Sequence, residues 1–186
     1  MTATQNFLKC ARLPNLYYHV IGLDRGIMRE IERIIDHYDR VMRGSAWHGD
    51  PVWKILEGIT AQEAARRPIG NAHNIWELVM HVTYWETVAC QRIRNLPSKY
   101  SKALNFPPTP KPGTTSWNRT LKAFRASNRA FRDTICRLDS ATLDNTMPRD
   151  RRKSFYREVH GVIQHHIYHA GQIALLKKAL ADRRSS

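Results

Sequence analysis

The sequence predicts an all-α protein, a four-helix bundle with a long Pro-rich crossover between the second and third main helices. Four long segments repeat apolar residues at intervals of three and four, which is the period of an amphipathic helix. No segment shows the polar and apolar alternation of a strand, and clustered prolines separate the second helical segment from the third. At 186 residues the chain is long enough for one domain with its own core.

The first main helix is predicted over residues 24–43, with Asp24 able to cap its start and Gly44 ending it. A short helix with proline in its first turn follows at residues 51–56. Thr60 and Glu63 then form a capping-box pattern, which starts another short helix that stops before Pro68. The apolar stripe of the first main helix is Ile27, Ile31, Ile34, Tyr38 and Val41.

The second main helix is predicted to open at Asn74, with Glu77 in the position that completes a capping box, and to close before Pro97. Its stripe is Ile75, Leu78, Val82, Trp85 and Ala89. Residues 96–113 contain prolines at 97, 107, 108, 110 and 112, and we expect an extended crossover without helix there. Such a length predicts that the chain moves to a different edge or end of the bundle.

The third main helix is predicted over residues 115–138 and the fourth over residues 155–181, after a polar loop at 139–153 and a capping Ser154. Asn128 is the polar member of an otherwise apolar stripe in the third helix: Trp117, Leu121, Phe124, Asn128, Phe131, Ile135 and Leu138. The stripe of the fourth helix contains histidines: Val159, Val162, His166, His169, Ile173, Leu176 and Leu180.

Histidine spacing in the fourth helix indicates a metal site. His165 and His169 are four residues apart, so their rings leave the same helix face and can bind one ion. The pair alone is weak evidence, because adjacent helical histidines are more often ordinary core or surface residues. His81 lies beside the apolar stripe of the second helix, and ligands from facing helices converge in a bundle core. The pair lacks the intervening glutamate of zinc proteases, which excludes that chemistry.

Three segments, residues 56–68, 73–86 and 161–177, resemble the signatures of the DinB/YfiT-like family. The resemblance covers about residues 24–181 and implies a four-helix bundle that holds a divalent metal ion, usually zinc or nickel, on three histidines. Carried over by motif, the ligands are His81, His165 and His169. Family members with assigned activity are thiol-dependent S-transferases or isomerases that use small thiol cofactors, and others are described as hydrolases.

The same comparison divides the chain into an extension, residues 1–22, outside the family pattern, and a single bundle domain, residues 23–182. His166, Gln172 and Asn128 are candidates to support the metal ligands or to contact substrate, and no catalytic residue is assigned. We therefore predict a metal-dependent transferase or hydrolase that acts on a small molecule as a homodimer. A metal-stabilised bundle without catalysis remains an alternative hypothesis.

The charge of the chain raises a third hypothesis. The formal net charge is +14, and all of the excess lies after residue 90, because residues 1–90 hold equal numbers of basic and acidic side chains. Basic residues at 119–132 and 149–153 provide positive surface for a nucleic acid or an acidic partner. No aromatic residue interleaves the exposed basic positions and no helix-turn-helix pattern occurs, so a solvated helix face is the favoured interpretation.

The sequence also bears on location. Three widely spaced cysteines without a CxxC motif favour a reducing compartment, and the polar first residues lack the apolar stretch of a signal peptide. No window approaches the length of a membrane span. We expect a cytoplasmic protein.

Overall fold

A computed structural model describes residues 29–182, and helices account for most of this range. In chain order the α-helices are α1 (Glu30–Met42), α2 (Val52–Leu56), α3 (Ala61–Ala65), α4 (Ile75–Ile93), α5 (Lys102–Asn105), α6 (Thr114–Cys136) and α7 (Phe155–Asp182). The four long helices, α1, α4, α6 and α7, confirm the predicted all-α bundle. The predicted Asp24 cap and the predicted extension, residues 1–22, lie outside the described residues.

Helix α4 packs against both α6 and α7, and α1 packs against the same two helices. Helices α4 and α6 run in the same direction. Trp76 near the start of α4 donates a hydrogen bond to Thr120 near the start of α6, and Glu86 meets Ser127 further along both. Parallel neighbours require the connecting chain to return along the bundle, which explains the long segment between them.

The apolar stripes of the four long helices form one continuous core. Its largest fully buried side chains include both aromatic and branched aliphatic residues: Trp76, Tyr38, Phe124, Phe131, Ile34, Ile75, Ile135 and Ile163. Burial of each such side chain contributes about 1.5–3 kcal/mol relative to exposure. The core therefore fixes the helices against one another before any polar contact is counted.

Two capping boxes form where the sequence predicts them. Asn74 accepts a hydrogen bond from the Glu77 backbone N–H, and Glu77 accepts one from the backbone N–H of Asn74. Thr60 and Glu63 make the same reciprocal pair at the start of α3. Each cap contributes about 1 kcal/mol, because it satisfies backbone donors that a helix leaves unpaired.

Three segments differ from the prediction. The first main helix begins at Glu30, after an extended Arg29 at its N-cap, and not at residue 24. The polar loop at 139–153 contains a 3₁₀ turn (Ser140–Thr142) and an antiparallel hairpin of strands β1 (Thr146–Met147) and β2 (Asp150–Ser154). Met147 is buried in the main core and fixes this hairpin to the bundle. The crossover is not wholly extended, because α5 forms one helical turn within it.

No helix within residues 29–182 is long and apolar enough to cross a membrane.

Candidate metal centre

The candidate site lies where the first half of α4 meets the middle of α7. The Asn74 cap fixes the start of α4, and His81 follows two turns later on the buried side. His165 and His169 project from one face of α7, as their spacing of four residues predicts. The structure therefore brings together the three histidines that the sequence singled out.

The three imidazoles converge through their Nε2 atoms. The Nε2 of His165 lies 3.0 Å from that of His81 and 2.9 Å from that of His169. Candidate ligand atoms of all three residues lie within 4.8 Å of one another. Nitrogens bound to one tetrahedral zinc ion lie about 3.3 Å apart, so the cluster has the dimensions of a metal site.

Hydrogen bonds on the outer nitrogens fix two of the rings. The His81 Nδ1–H donates to the Asn105 carbonyl oxygen at 2.8 Å, and the His169 Nδ1–H donates to Gln172 Oε1 at 2.6 Å. A proton on Nδ1 leaves the Nε2 lone pair of a neutral imidazole facing the centre. This is the arrangement that metal-binding histidines adopt.

Burial keeps the imidazoles neutral. Burial first, and then the neighbouring imidazoles of His169 and His81, lowers the pKa of His165 from 6.5 to about 3. Burial also lowers the pKa of His169 to about 4, although the hydrogen bond that His169 donates to Gln172 acts in the opposite direction, and burial lowers the pKa of His81. Neutral imidazole is the metal-binding form, so the donor set fits a divalent ion at neutral pH.

Aromatic side chains surround the histidines. The Phe106 ring stacks on His81 with centroids 3.9 Å apart and ring planes 7° apart. Trp85 lies edge-on to both His81 and His165 at 6.5 Å, and Tyr168 lies 5.0 Å from His169. These rings exclude water from the sides of the site, while the exposed Tyr168 marks a side that solvent reaches.

The three supporting candidates occupy two different places. Gln172 lies beside the three candidate ligands, because it accepts the hydrogen bond from His169. His166 and Asn128 instead direct their side chains to Glu86, at the centre of a second buried polar group. Asn128 also accepts a hydrogen bond from the Trp53 indole at 3.1 Å.

This second group, which we name the Glu86 cluster, consists of Tyr38, Glu86, Ser127, Asn128 and His166. The Glu86 carboxylate is fully buried and accepts hydrogen bonds from each of the other four side chains. Burial, and then the Glu86 charge, raises the pKa of Tyr38 well above its ordinary value, so its phenol stays a donor. The sequence alone does not indicate a role for Glu86, and the signal available there is the polar Asn128 within an apolar stripe.

The basic face of α6 is partly engaged within the protein. The Arg125 guanidinium lies 4.2 Å from the centre of the Trp53 ring, and Arg132 forms a two-pronged ion pair with Asp39 at 3.0 Å. Lys122 and Arg129 lie on the exposed surface. Two of the five basic residues at 119–132 therefore stabilise contacts between elements of the fold.

Comparison with known protein families identifies a match. The sequence pattern of the DinB superfamily matches residues 46–173, which includes all three converging histidines and most of the bundle. No curated protein and no solved structure is significantly similar to the chain. The matched segment covers well over half of the sequence, and the chain belongs to the DinB superfamily.

Proposed function

We propose that this protein is a divalent-metal-dependent enzyme that holds zinc or nickel on the Nε2 atoms of His81, His165 and His169. The observation that carries the proposal is the convergence of three neutral imidazoles at distances close to those of zinc ligands. The reaction that we propose is transfer to or from a small thiol, isomerisation with such a thiol, or hydrolysis.

The number of protein ligands supports catalysis over a purely structural ion. Structural zinc sites fill four positions with protein side chains, whereas catalytic sites use three and leave a position open. Within residues 29–182, no fourth His, Cys, Asp or Glu joins the group. When bound, the ion supplies Lewis acidity, which makes a thiol or water nucleophilic near neutral pH.

The other residues of the site would orient and shield the reactants. The Asn105 carbonyl and Gln172 hold two imidazoles in the metal-binding tautomer. Trp85 and Phe106 provide apolar walls that exclude water, and the exposed Tyr168 offers a ring for the apolar part of a substrate.

Metal content tests the site directly. Protein purified without a histidine tag should contain about one divalent ion per chain by elemental analysis. His81→Ala should abolish binding, whereas His48→Ala, which removes an exposed histidine outside the cluster, should not change it. His166→Ala should lose much less metal than His81→Ala, because the His166 ring bonds to Glu86. Unchanged metal content in His81→Ala would exclude the proposed ligand set.

Turnover tests the enzymatic part separately. The metal-loaded protein is screened with small thiols paired with electrophiles, and with hydrolysable esters and amides. Activity that disappears in His165→Ala together with the metal supports the proposal. Stoichiometric metal without turnover in any pairing would favour the non-catalytic, metal-stabilised bundle.

A further inference from the structure

The crossover between α4 and α6 reaches the candidate metal centre at two consecutive residues. Asn105 ends α5, and its carbonyl oxygen accepts the hydrogen bond from His81 Nδ1 at 2.8 Å. The next side chain, Phe106, stacks face to face on the same imidazole. One candidate ligand is therefore held on its edge and on its face by a segment outside the long helices.

The stack continues beyond Phe106. The opposite face of its ring lies against His73, with centroids 3.8 Å apart and ring planes 2° apart. His73 in turn bonds to Glu77 at 2.9 Å, next to the cap of α4. Phe106 is thus enclosed between two imidazoles, and the His81 ring cannot turn about its side-chain bond without displacing it.

Asn105 is also fixed through its side chain. The Trp85 indole N–H donates to Asn105 Oδ1 at 2.8 Å, so the Asn105 backbone carbonyl, which accepts the hydrogen bond from His81, cannot move independently of α4. A few residues later, Thr109 accepts a hydrogen bond from the Asn74 side chain at 2.8 Å. The crossover is therefore anchored to α4 on both sides of Phe106.

The other rings depend less on this segment. His169 is oriented by Gln172, three residues along the same helix, and His165 shares that helix. His81 comes from a different helix, and both the acceptor for its Nδ1–H and the ring stacked on its face come from residues more than twenty positions away. The orientation of the third ligand is therefore set by the placement of the crossover.

We propose that Asn105 and Phe106 are positioning residues for the metal ligand His81, and that metal binding and the placement of the crossover are thermodynamically coupled. This inference rests on the proposed metal site. If the placed crossover favours the metal-binding orientation of His81, the bound ion must stabilise the placed crossover by the same factor, because coupling between two sites is reciprocal. Two independent measurements therefore test one proposal.

The first measurement is metal affinity. Phe106→Ala should weaken zinc binding about 10–100-fold in a chelator competition, the usual effect of losing a group that orients a ligand. It should also alter the visible spectrum of the cobalt-substituted protein, which reports ligand geometry. Phe106→Tyr keeps the stacking ring and should restore both. Leu104→Ala removes an exposed side chain two positions before Phe106; it is the matched control and should behave like the wild type.

The second measurement is tryptic cleavage of the crossover at Lys99 and Lys102. Saturating zinc should slow cleavage of the wild-type chain, and this protection should be lost or reduced in Phe106→Ala. Circular dichroism confirms that each variant retains its helices.

The outcomes separate this inference from the proposed function. A wild-type protein that binds zinc, with Phe106→Ala within twofold of its affinity and zinc without effect on cleavage, overturns the positioning role alone. A wild-type protein that binds neither zinc nor nickel overturns both proposals. Weaker binding with an altered cobalt spectrum, and rescue by tyrosine, supports the positioning role.

Discussion

Glu86→Ala would remove the acceptor on which side chains from α1, α6 and α7 converge. Four donors lose their partner: the Tyr38 and Ser127 hydroxyls, the Asn128 amide and the His166 ring. Two of them have an alternative acceptor nearby, because Ser127 already contacts the Phe124 carbonyl and Tyr38 the Asn128 carbonyl. Within residues 29–182, the Asn128 amide and the His166 N–H contact no other acceptor, so both would be left buried and unpaired.

The magnitude follows from those two stranded donors. Each buried donor without a partner costs about 1–3 kcal/mol, and the missing carboxylate leaves a small cavity as well. We expect Glu86→Ala to lower the free energy of unfolding by about 3–5 kcal/mol, a large part of the roughly 5–15 kcal/mol typical of a domain. Glu86→Gln keeps one acceptor oxygen but directs its amide N–H toward donors, so the free energy of unfolding should fall by an intermediate amount.

Equilibrium urea unfolding, followed by tryptophan fluorescence, measures this loss. Thr87→Ala is the matched control, because the adjacent residue lies on the exposed side of α4 and should change stability by no more than about 0.5 kcal/mol. The slope of the transition should stay constant across the variants, which shows that the same surface unfolds. A loss below about 1 kcal/mol for Glu86→Ala would refute the view that the Glu86 cluster stabilises the bundle.

Two further predictions concern pH and surface charge. The metal-free protein should lose stability as pH falls from about 6.5 toward 3. In the folded protein the pKa values of His165 and His169 are about 3 and 4, so over this range the two histidines take up protons in the unfolded chain while they stay neutral in the folded one. The urea midpoint measured against pH should fall less steeply in His165→Gln, and equal slopes would contradict the assignment. Reversing charge at Lys122 and Arg129 should change stability by at most about 0.5 kcal/mol and leave metal content unchanged. Gel shifts should show no sequence-selective nucleic-acid binding at moderate salt, and selective binding that the reversal weakens would favour the nucleic-acid hypothesis.

Helical periodicity predicted the four long helices because each buries one continuous stripe, and a stripe is a local property of the sequence. The i, i+4 spacing of His165 and His169 similarly places two rings on one face before any tertiary contact is known. His81 could be added because an imidazole beside a buried stripe requires a partner. These features were accessible because each depends on residues within one helix.

The remaining features depend on contacts between distant residues. Glu86 lies five residues after His81, and its role becomes visible only when donors from three other helices surround it. The prolines of the crossover indicate an extended chain, yet one turn of helix forms there and places Phe106 against His81. Arg132 belongs to an exposed pattern in the sequence, but α1 supplies Asp39 as its partner.

The adjacent histidines of α7 also determine how that helix can be oriented about its own axis. His165 faces the other two candidate ligands, His81 and His169, while His166, turned about 100° around the helix axis, faces Glu86. A rotation of α7 by one residue would present His166 and Ala170 where His165 and His169 now lie, and alanine has no ligand atom. The doublet therefore does not offer two equivalent settings of the helix. His165 is followed four positions later by a second histidine, His169, whereas His166 is followed by Ala170. Of these two rotations of α7, the observed one alone therefore directs two histidines of the helix toward His81.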